Sequence, residues 1–331
     1  MHVGFLFWPF APDLVRRLTK CAEHFGYDMI GIADTPGNAM DPWVAGTLAA
    51  EASEVVRIAM CVTNLASRHP AVSAAAIASL DLVAPGRVLL GLGAGHSGTR
   101  NLGIAGSHAS ELAGGVDYIR ELLAGRSAQW HGGEARLPWV RRPPPIFLAA
   151  SGPKALMSAG QSADGAFINY GLLRENVTQS ETAVRAAASA VGRDADDVEI
   201  WQMAALDCEC DGLVSRRKIG AILAFMAAGY ILRGNLAARG VPEPLHGALV
   251  ELRRRYSTRP GEADSALIDA LGLFDYLSRR FAVYGTPAAC RNQLAAAREA
   301  GVERIMFSVS LAADPVGTVE LFGREVLPDF R

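Results

Sequence analysis

Nine polar residues stand where short apolar runs of the chain end: Asp34, Asn64, Arg68, His69, His96, Ser97, Ser151, Lys154 and Asn169. A carboxyl and an imidazole can hold and move a proton near neutrality, so Asp34 with His69 or His96 supplies the types that general acid–base chemistry needs. Asn64, Arg68, His69, His96 and Ser97 all come from one stretch, Ile58 to Gly98. It reads as a buried strand, a helix opened by Pro70 and a second buried strand, VLLGLGAG. A strand, a crossover helix and a return strand make a parallel pair, and ligands of parallel α/β folds bind at the carboxyl ends of the strands. These residues therefore share one face of a candidate site. The run SGPKAL adds Ser151, Gly152 and Lys154 at a helix start, where free N–H groups, the helix dipole and a cation favour an anion such as phosphate. Plain structural roles compete: Asp34 as a helix cap, Arg68 as a partner of a carboxylate, His69 as the first residue of a helix.

Other chemistries lack their residues. His96 and His108 stand twelve apart with no HExxH pattern, and Cys208 and Cys210 form a CxC pair without a second Cys or His pair, so no zinc site is expected. The nucleophile pattern GxSxG is absent, as is a GxGxxG turn after the first strand. A barrel without metal or nucleophile motif often leaves the hard chemistry to an organic cofactor. A net charge of −2 over 331 residues carries no footprint for nucleic acid or an acidic membrane surface. Five cysteines, an odd number in a long chain, do not make a disulfide framework and point to a reducing compartment. With no basic, apolar leader and no apolar run near the ~20 residues of a membrane helix, a cytoplasmic protein is expected.

The elements that must position these residues alternate. VGFLFWPF, YDMIGIAD, VRIAMCVTN, VLLGLGAG, IFLAAS, GAFINYG, VEIWQMAAL and VERIMFSVS read as strands, most of them followed by a helical pattern. GHSGTRNLGIAGSH reads as a long loop after the fourth strand, and residues 127–145 as a short hairpin excursion. Residues of about 215–280 hold several helical segments with no strand signal and read as an insertion. Eight strands predict an α/β fold, a (β/α)₈ TIM barrel, with a helical insertion after strand 7 and the whole of 1–331 as one domain.

The run CVTNLASRHPAVSAAAIASLDLVAPGRVLLGLGAGHSG, with ADTPGNAMDPW before it and IFLAASGPKAL after it, resembles the bacterial luciferase-like monooxygenase superfamily. Within it the chain is most similar to the branch of methylenetetrahydromethanopterin reductases and related flavin- or deazaflavin-dependent oxidoreductases. The likeness spans nearly the whole chain, including the closing GTPAACRNQLAAAREAGVERIMF. It implies FMN or coenzyme F420 as cofactor, and hydride transfer or monooxygenation on a small organic substrate. It further implies a bulged third strand whose non-prolyl cis peptide backs the cofactor ring, at Cys61–Val62, with Thr63 and Asn64 bordering the ring. His96, Ser97, Ser151, Gly152 and Lys154 match the cofactor-tail region, with the backbone there holding the phosphate, and Asp34 matches an acid at the pocket. Asp34, His69 and His96 are the candidate catalytic residues. His96 stands where the family commonly has Asp, and GFLFWP lacks the acid of the methanopterin reductases, so their substrate is not transferred. The pocket walls are expected from the insertion and the loop after strand four; Phe5, Phe7, Trp8 and Trp43 divide between pocket and core. The expected partner is a small-molecule substrate, with no nucleic acid or membrane and a homodimer left open. Two rivals are a flavin-binding barrel without turnover and a cofactor-free acid–base enzyme using Asp34 and His69.

Overall fold

The computed structural model describes residues 1–231, 234–256 and 265–331; two parts of the expected insertion, 232–233 and 257–264, lie outside the described residues. The chain opens with β1 (His2–Phe7), α1 (Pro12–Phe25), β2 (Met29–Ile32), α2 (Pro42–Glu51), β3 (Arg57–Asn64), α3 (Pro70–Val83) and β4 (Val88–Gly93). After a short α4 (Ser97–Arg100) come α5 (Ala109–Leu123), a hairpin of β5 (Ala128–Trp130) and β6 (Gly133–Ala135), β7 (Ile146–Ala150), α6 (Pro153–Ser162), β8 (Gly165–Ile168), α7 (Arg174–Ala190) and β9 (Glu199–Cys208). Then follow α8 (Gly212–Met226), α9 (His246–Arg255), α10 (Ser265–Ala270), α11 (Phe274–Phe281), β10 (Ala282–Gly285), α12 (Pro287–Glu299), β11 (Arg304–Ser308) and α13 (Pro315–Glu325).

Eight strands pair in parallel in the order β9-β11-β1-β2-β3-β4-β7-β8, and β8 returns to β9 in the register Gly165↔Glu199 to close the barrel. This is the expected (β/α)₈ barrel. Its strands are buried on both faces because helices cover the outside and side chains fill the inside, which is why they read as continuous apolar runs. Leu6, Met29, Leu89, Phe147, Trp201 and Met306 are among the residues that fill the interior. Large residues need small neighbours there. A β-carbon on Gly165 would lie 2.4 Å from the Phe147 ring, and one on Gly91 would lie 2.3 Å from the Met60 carbonyl. A second cluster, built from α8, α10 and α11, gives the insertion its own apolar core.

The helices start and stop as their sequences direct. Pro occupies the first turn of α1, α2, α3 and α6, and Gly26 ends α1 in the left-handed conformation at φ 72°. Two expectations need correction. The glycine-rich segment after strand four holds the one-turn helix α4, and an unexpected short strand, β10, directly follows the insertion and pairs with β9 over Ala282↔Ala205 to Gly285↔Cys208. The AVYG of β10 follows α11 with no polar break, so its four residues carry no boundary signal. β8 pairs with β9 only over Glu199–Gln202, and β10 uses the later half of the same strand. Among the described residues no helix is long and apolar enough to cross a membrane.

Candidate active site

The carboxyl ends of the barrel strands open into a cavity of about 600 Å³. β2 and the residues after it bring Asp34 there, 9% exposed, with its Oδ2 accepting a 2.6 Å hydrogen bond from the Thr63 hydroxyl on β3. Burial pushes the Asp34 carboxyl above the ordinary carboxylate range, against the opposing pull of the Thr63 hydroxyl and the Arg68 charge. Beside it the Thr35 hydroxyl donates to Ser97 Oγ at 2.9 Å, tying the end of β2 to the start of α4. Gly98 permits that approach: a β-carbon there would stand 2.8 Å from the Asp34 carbonyl.

β3 is irregular where it meets the cavity. Its register against β4 shifts between Met60 and Thr63, and the Cys61–Val62 peptide is cis, at the bond named from the resemblance. Val62 faces the cavity above two glycines of β4. β-Carbons on Gly91 and Gly93 would come within 3.0 and 2.8 Å of its methyl groups. The GLGAG run thus serves strand packing at these two positions. Asn64 also lines the cavity, but its Oδ1 is committed to the chain, accepting from the Ala66 and Ser67 amides and the Ser67 hydroxyl.

His69 and Arg68 lie outside this cavity, which corrects the expectation that they share its face. His69 is exposed, and its Nδ1 accepts the Ala71 amide at 3.2 Å as the N-cap of α3. The turn that ends β3 carries its ring away from the mouth to an edge contact with Tyr118. Arg68 pairs with Asp41 at 2.9 Å and lies over the Trp43 ring. An acid–base pair of Asp34 and His69, as in the cofactor-free alternative, is therefore not assembled.

His96 lines the cavity opposite the insertion, packing edge-on against Phe225 with ring centroids 5.2 Å apart. Phe225 in turn meets Trp8 at 5.9 Å, so α8 closes one wall as the insertion was expected to do. Phe5 and Phe7 sit in the outer core instead.

The anion side is built from β7 and α6. Ser151, Gly152 and Lys154 all line the cavity, with Gly152 the N-cap of α6 and Pro153 in its first turn. Asn169, at the end of β8, is 4% exposed, and its Oδ1 has no hydrogen-bond partner. The sequence did not single out Arg239. It comes from the insertion, is 8% exposed, and donates to the Ser151 carbonyl from Nη1. Ser308, the last residue of β11, and Ser310, two residues past it, also reach the cavity unannounced. No local pattern marked them: Arg239 sits in a short turn, and both serines fall within the run VERIMFSVS that reads as a strand without a motif.

Comparison with known proteins agrees in one direction. A family model described as luciferase-like monooxygenase matches residues 8–304. A 5,10-methylenetetrahydromethanopterin reductase of Methanolobus tindarius is 26% identical over 341 residues, covering 99% of this chain and all of that protein. An F420-dependent hydroxymycolic acid dehydrogenase of Mycobacterium tuberculosis is 30% identical over 204 residues, 56% of each chain. Among solved structures, the coenzyme F420-dependent tetrahydromethanopterin reductase of Methanopyrus kandleri superposes with a TM-score of 0.82 at 21% identity, over 100% of this chain and 99% of that one.

Proposed function

The chain belongs to the luciferase-like monooxygenase family, and on that premise we propose that it is a hydride-transferring oxidoreductase using the deazaflavin F420, with Asp34 as its proton-handling group. That it is an oxidoreductase dependent on a flavin or F420 follows from its relatives; the choice of F420 over FMN, and of hydride transfer over oxygenation, is the proposal. Two relatives speak for it, the full-length reductase match and the dehydrogenase whose name carries F420.

The observation that carries the reading is the division of the cavity into two chemically different ends. Leu6 and Trp8 at the end of β1 and Val62 from β3 flank the end of β2 that carries the buried, protonatable Asp34 carboxyl. Three strands away, Lys154 and Arg239 bring two cations to the start of α6. An apolar tricyclic ring with a hydroxylated, phosphate-bearing tail has matching parts, and the unpartnered Asn169 Oδ1 is an acceptor suited to a hydroxyl. The residues fit such a cofactor. In the proposal Cys61, Val62, Thr63 and Asn64 border the ring, Ser151, Gly152 and Lys154 surround the tail, and His96 and Ser97 border the cofactor on the Asp34 side of the cavity.

When bound, the deazaflavin supplies a carbon that accepts or gives a hydride. The chain's own residues do the rest. Asp34, kept protonated to higher pH by burial, gives a proton to the substrate oxygen or nitrogen in the reducing direction and takes it back in the other. The Thr63 hydroxyl fixes the carboxyl's orientation, leaving Oδ1 for the substrate. His96, Phe225 and Trp8 wall off water and shape the substrate space.

The test is turnover with reduced F420 against a panel of ketones and imines, for wild type and Asp34→Asn. The substitution is expected to lower kcat roughly a hundred-fold or more while cofactor affinity stays within about two-fold. Equal turnover by Asp34→Asn would remove Asp34 from the mechanism.

A further inference from the structure

Arg239 is nine-tenths buried at the cavity, and it is supplied by the insertion rather than by a barrel strand. Its Nη1 donates to the Ser151 carbonyl, and its Nη2 lies 2.8 Å from where a β-carbon of Gly152 would stand. Glycine at 152 is thus what lets the guanidinium approach the start of α6 so closely.

Behind Arg239 stands a second guanidinium, Arg280, 1% exposed. It donates to the Arg239 carbonyl at 2.8 Å, to the Tyr170 carbonyl at 2.8 and 3.1 Å, and to the Tyr276 hydroxyl at 2.5 Å. Its other neighbours are the faces of Tyr170, Tyr276 and Phe281. Among the described residues none of its partners is a carboxylate. A buried cation surrounded only by neutral groups leaves a positive field that an anion nearby relieves. Because Arg280 bonds both the Arg239 and the Tyr170 carbonyls, it also fixes the insertion to the end of β8, where Asn169 lines the same cavity and its buried Oδ1 has no partner. Lys154 and the amides at the start of α6 complete the arrangement. Asp34 is the sole carboxylate lining the cavity among the described residues, three strands away.

We propose that Arg239 grips the phosphate ester of the bound cofactor from the insertion side, beside the start of α6, with Arg280 as the positioning residue that holds it there and Asn169 accepting from a hydroxyl of the adjoining tail. This rests on the reading that the cavity takes a deazaflavin or flavin. The insertion is then part of the cofactor site as well as the wall of the substrate space. A bidentate guanidinium suits a phosphate better than a point charge does, so arginine is the apt residue at this position.

The experiment compares cofactors with and without their phosphate: F420 against its phosphate-free deazaflavin chromophore, and FMN against riboflavin, by fluorescence titration of wild type, Arg239→Gln and Arg239→Lys. Arg239→Gln is expected to weaken the phosphorylated member of whichever pair binds by roughly ten- to a hundred-fold and the phosphate-free member by less than about three-fold, with Arg239→Lys recovering part of the loss. Because both ligands are titrated into the same protein, a general loss of fold moves them together and leaves their ratio unchanged. An unchanged ratio in Arg239→Gln overturns the proposal; if that variant does not fold, the ratio in Arg239→Lys decides by the same criterion. Binding of none of the four ligands to wild type overturns the cofactor reading itself, and this inference with it.

Discussion

At the scale of single residues, two histidines of similar appearance in the sequence have separate fates. Both follow a strand, but His69 is carried by the turn into the cap of α3, while His96 is held in the cavity by its contact with Phe225. Capping is a local role that His-Pro at a helix start already suggested; the contact with Phe225 depends on an insertion more than a hundred residues away and had no local signal. Removing the cap through His69→Ala is expected to cost about 1 kcal/mol in urea unfolding and to leave kcat unchanged; a large loss of turnover at full stability would return His69 to the chemistry. Asp34 makes the opposite prediction. Its carboxyl titrates above the ordinary range, so in the reducing direction turnover should be highest at low pH and fall as pH rises through that shifted value. Rate against pH checks this, and Asp34→Asn should flatten the profile.

At the scale of elements, strong local patterns were read with their bounds nearly correct. Proline in the first helical turn marks α1, α3 and α6, glycine ends α1, and apolar runs mark the eight barrel strands. β10 escaped because a four-residue strand fused to a helix end has neither length nor punctuation, and its pairing with the later half of β9 is a tertiary choice. That half of β9 also buries Asp207, 1% exposed, whose Oδ2 has no hydrogen-bond partner. Burial, with Glu209 adding to it and Ser215 and Lys218 opposing, pushes this carboxyl up to about 6. The folded state therefore holds the Asp207 proton to higher pH than the unfolded chain does, and stability falls as pH rises from about 4 to about 6. Above that window the ionised group costs about 3 kcal/mol at most. Asp207→Asn should accordingly be more stable than wild type by roughly 1 to 3 kcal/mol at pH 8 and gain little at pH 4, read by chemical denaturation at both values. A difference between the two proteins that does not change with pH would contradict this.

At the scale of the whole molecule, the barrel collects at one mouth residues from seven strand ends, and the insertion adds the wall and the buried arginine that no strand supplies. The side of the site built from β2, β3, β4 and β7 was legible because strand-end polar residues in a parallel barrel all point to one face. The insertion's share was not, since its contacts with the barrel are set by packing of Arg280 against the Tyr170 and Arg239 carbonyls rather than by any repeating pattern. In the proposed mechanism a cofactor sits in this cavity with its phosphate at Gly152. The most direct test is a fluorescence titration of F420 and of FMN into wild type and Gly152→Val. Saturable one-to-one binding of F420 by wild type, tighter than that of FMN, and its loss by at least about ten-fold in Gly152→Val, where the new side chain displaces the Arg239 guanidinium, is the predicted result. Wild-type binding of neither cofactor, or equal F420 affinity in the two proteins, would contradict it.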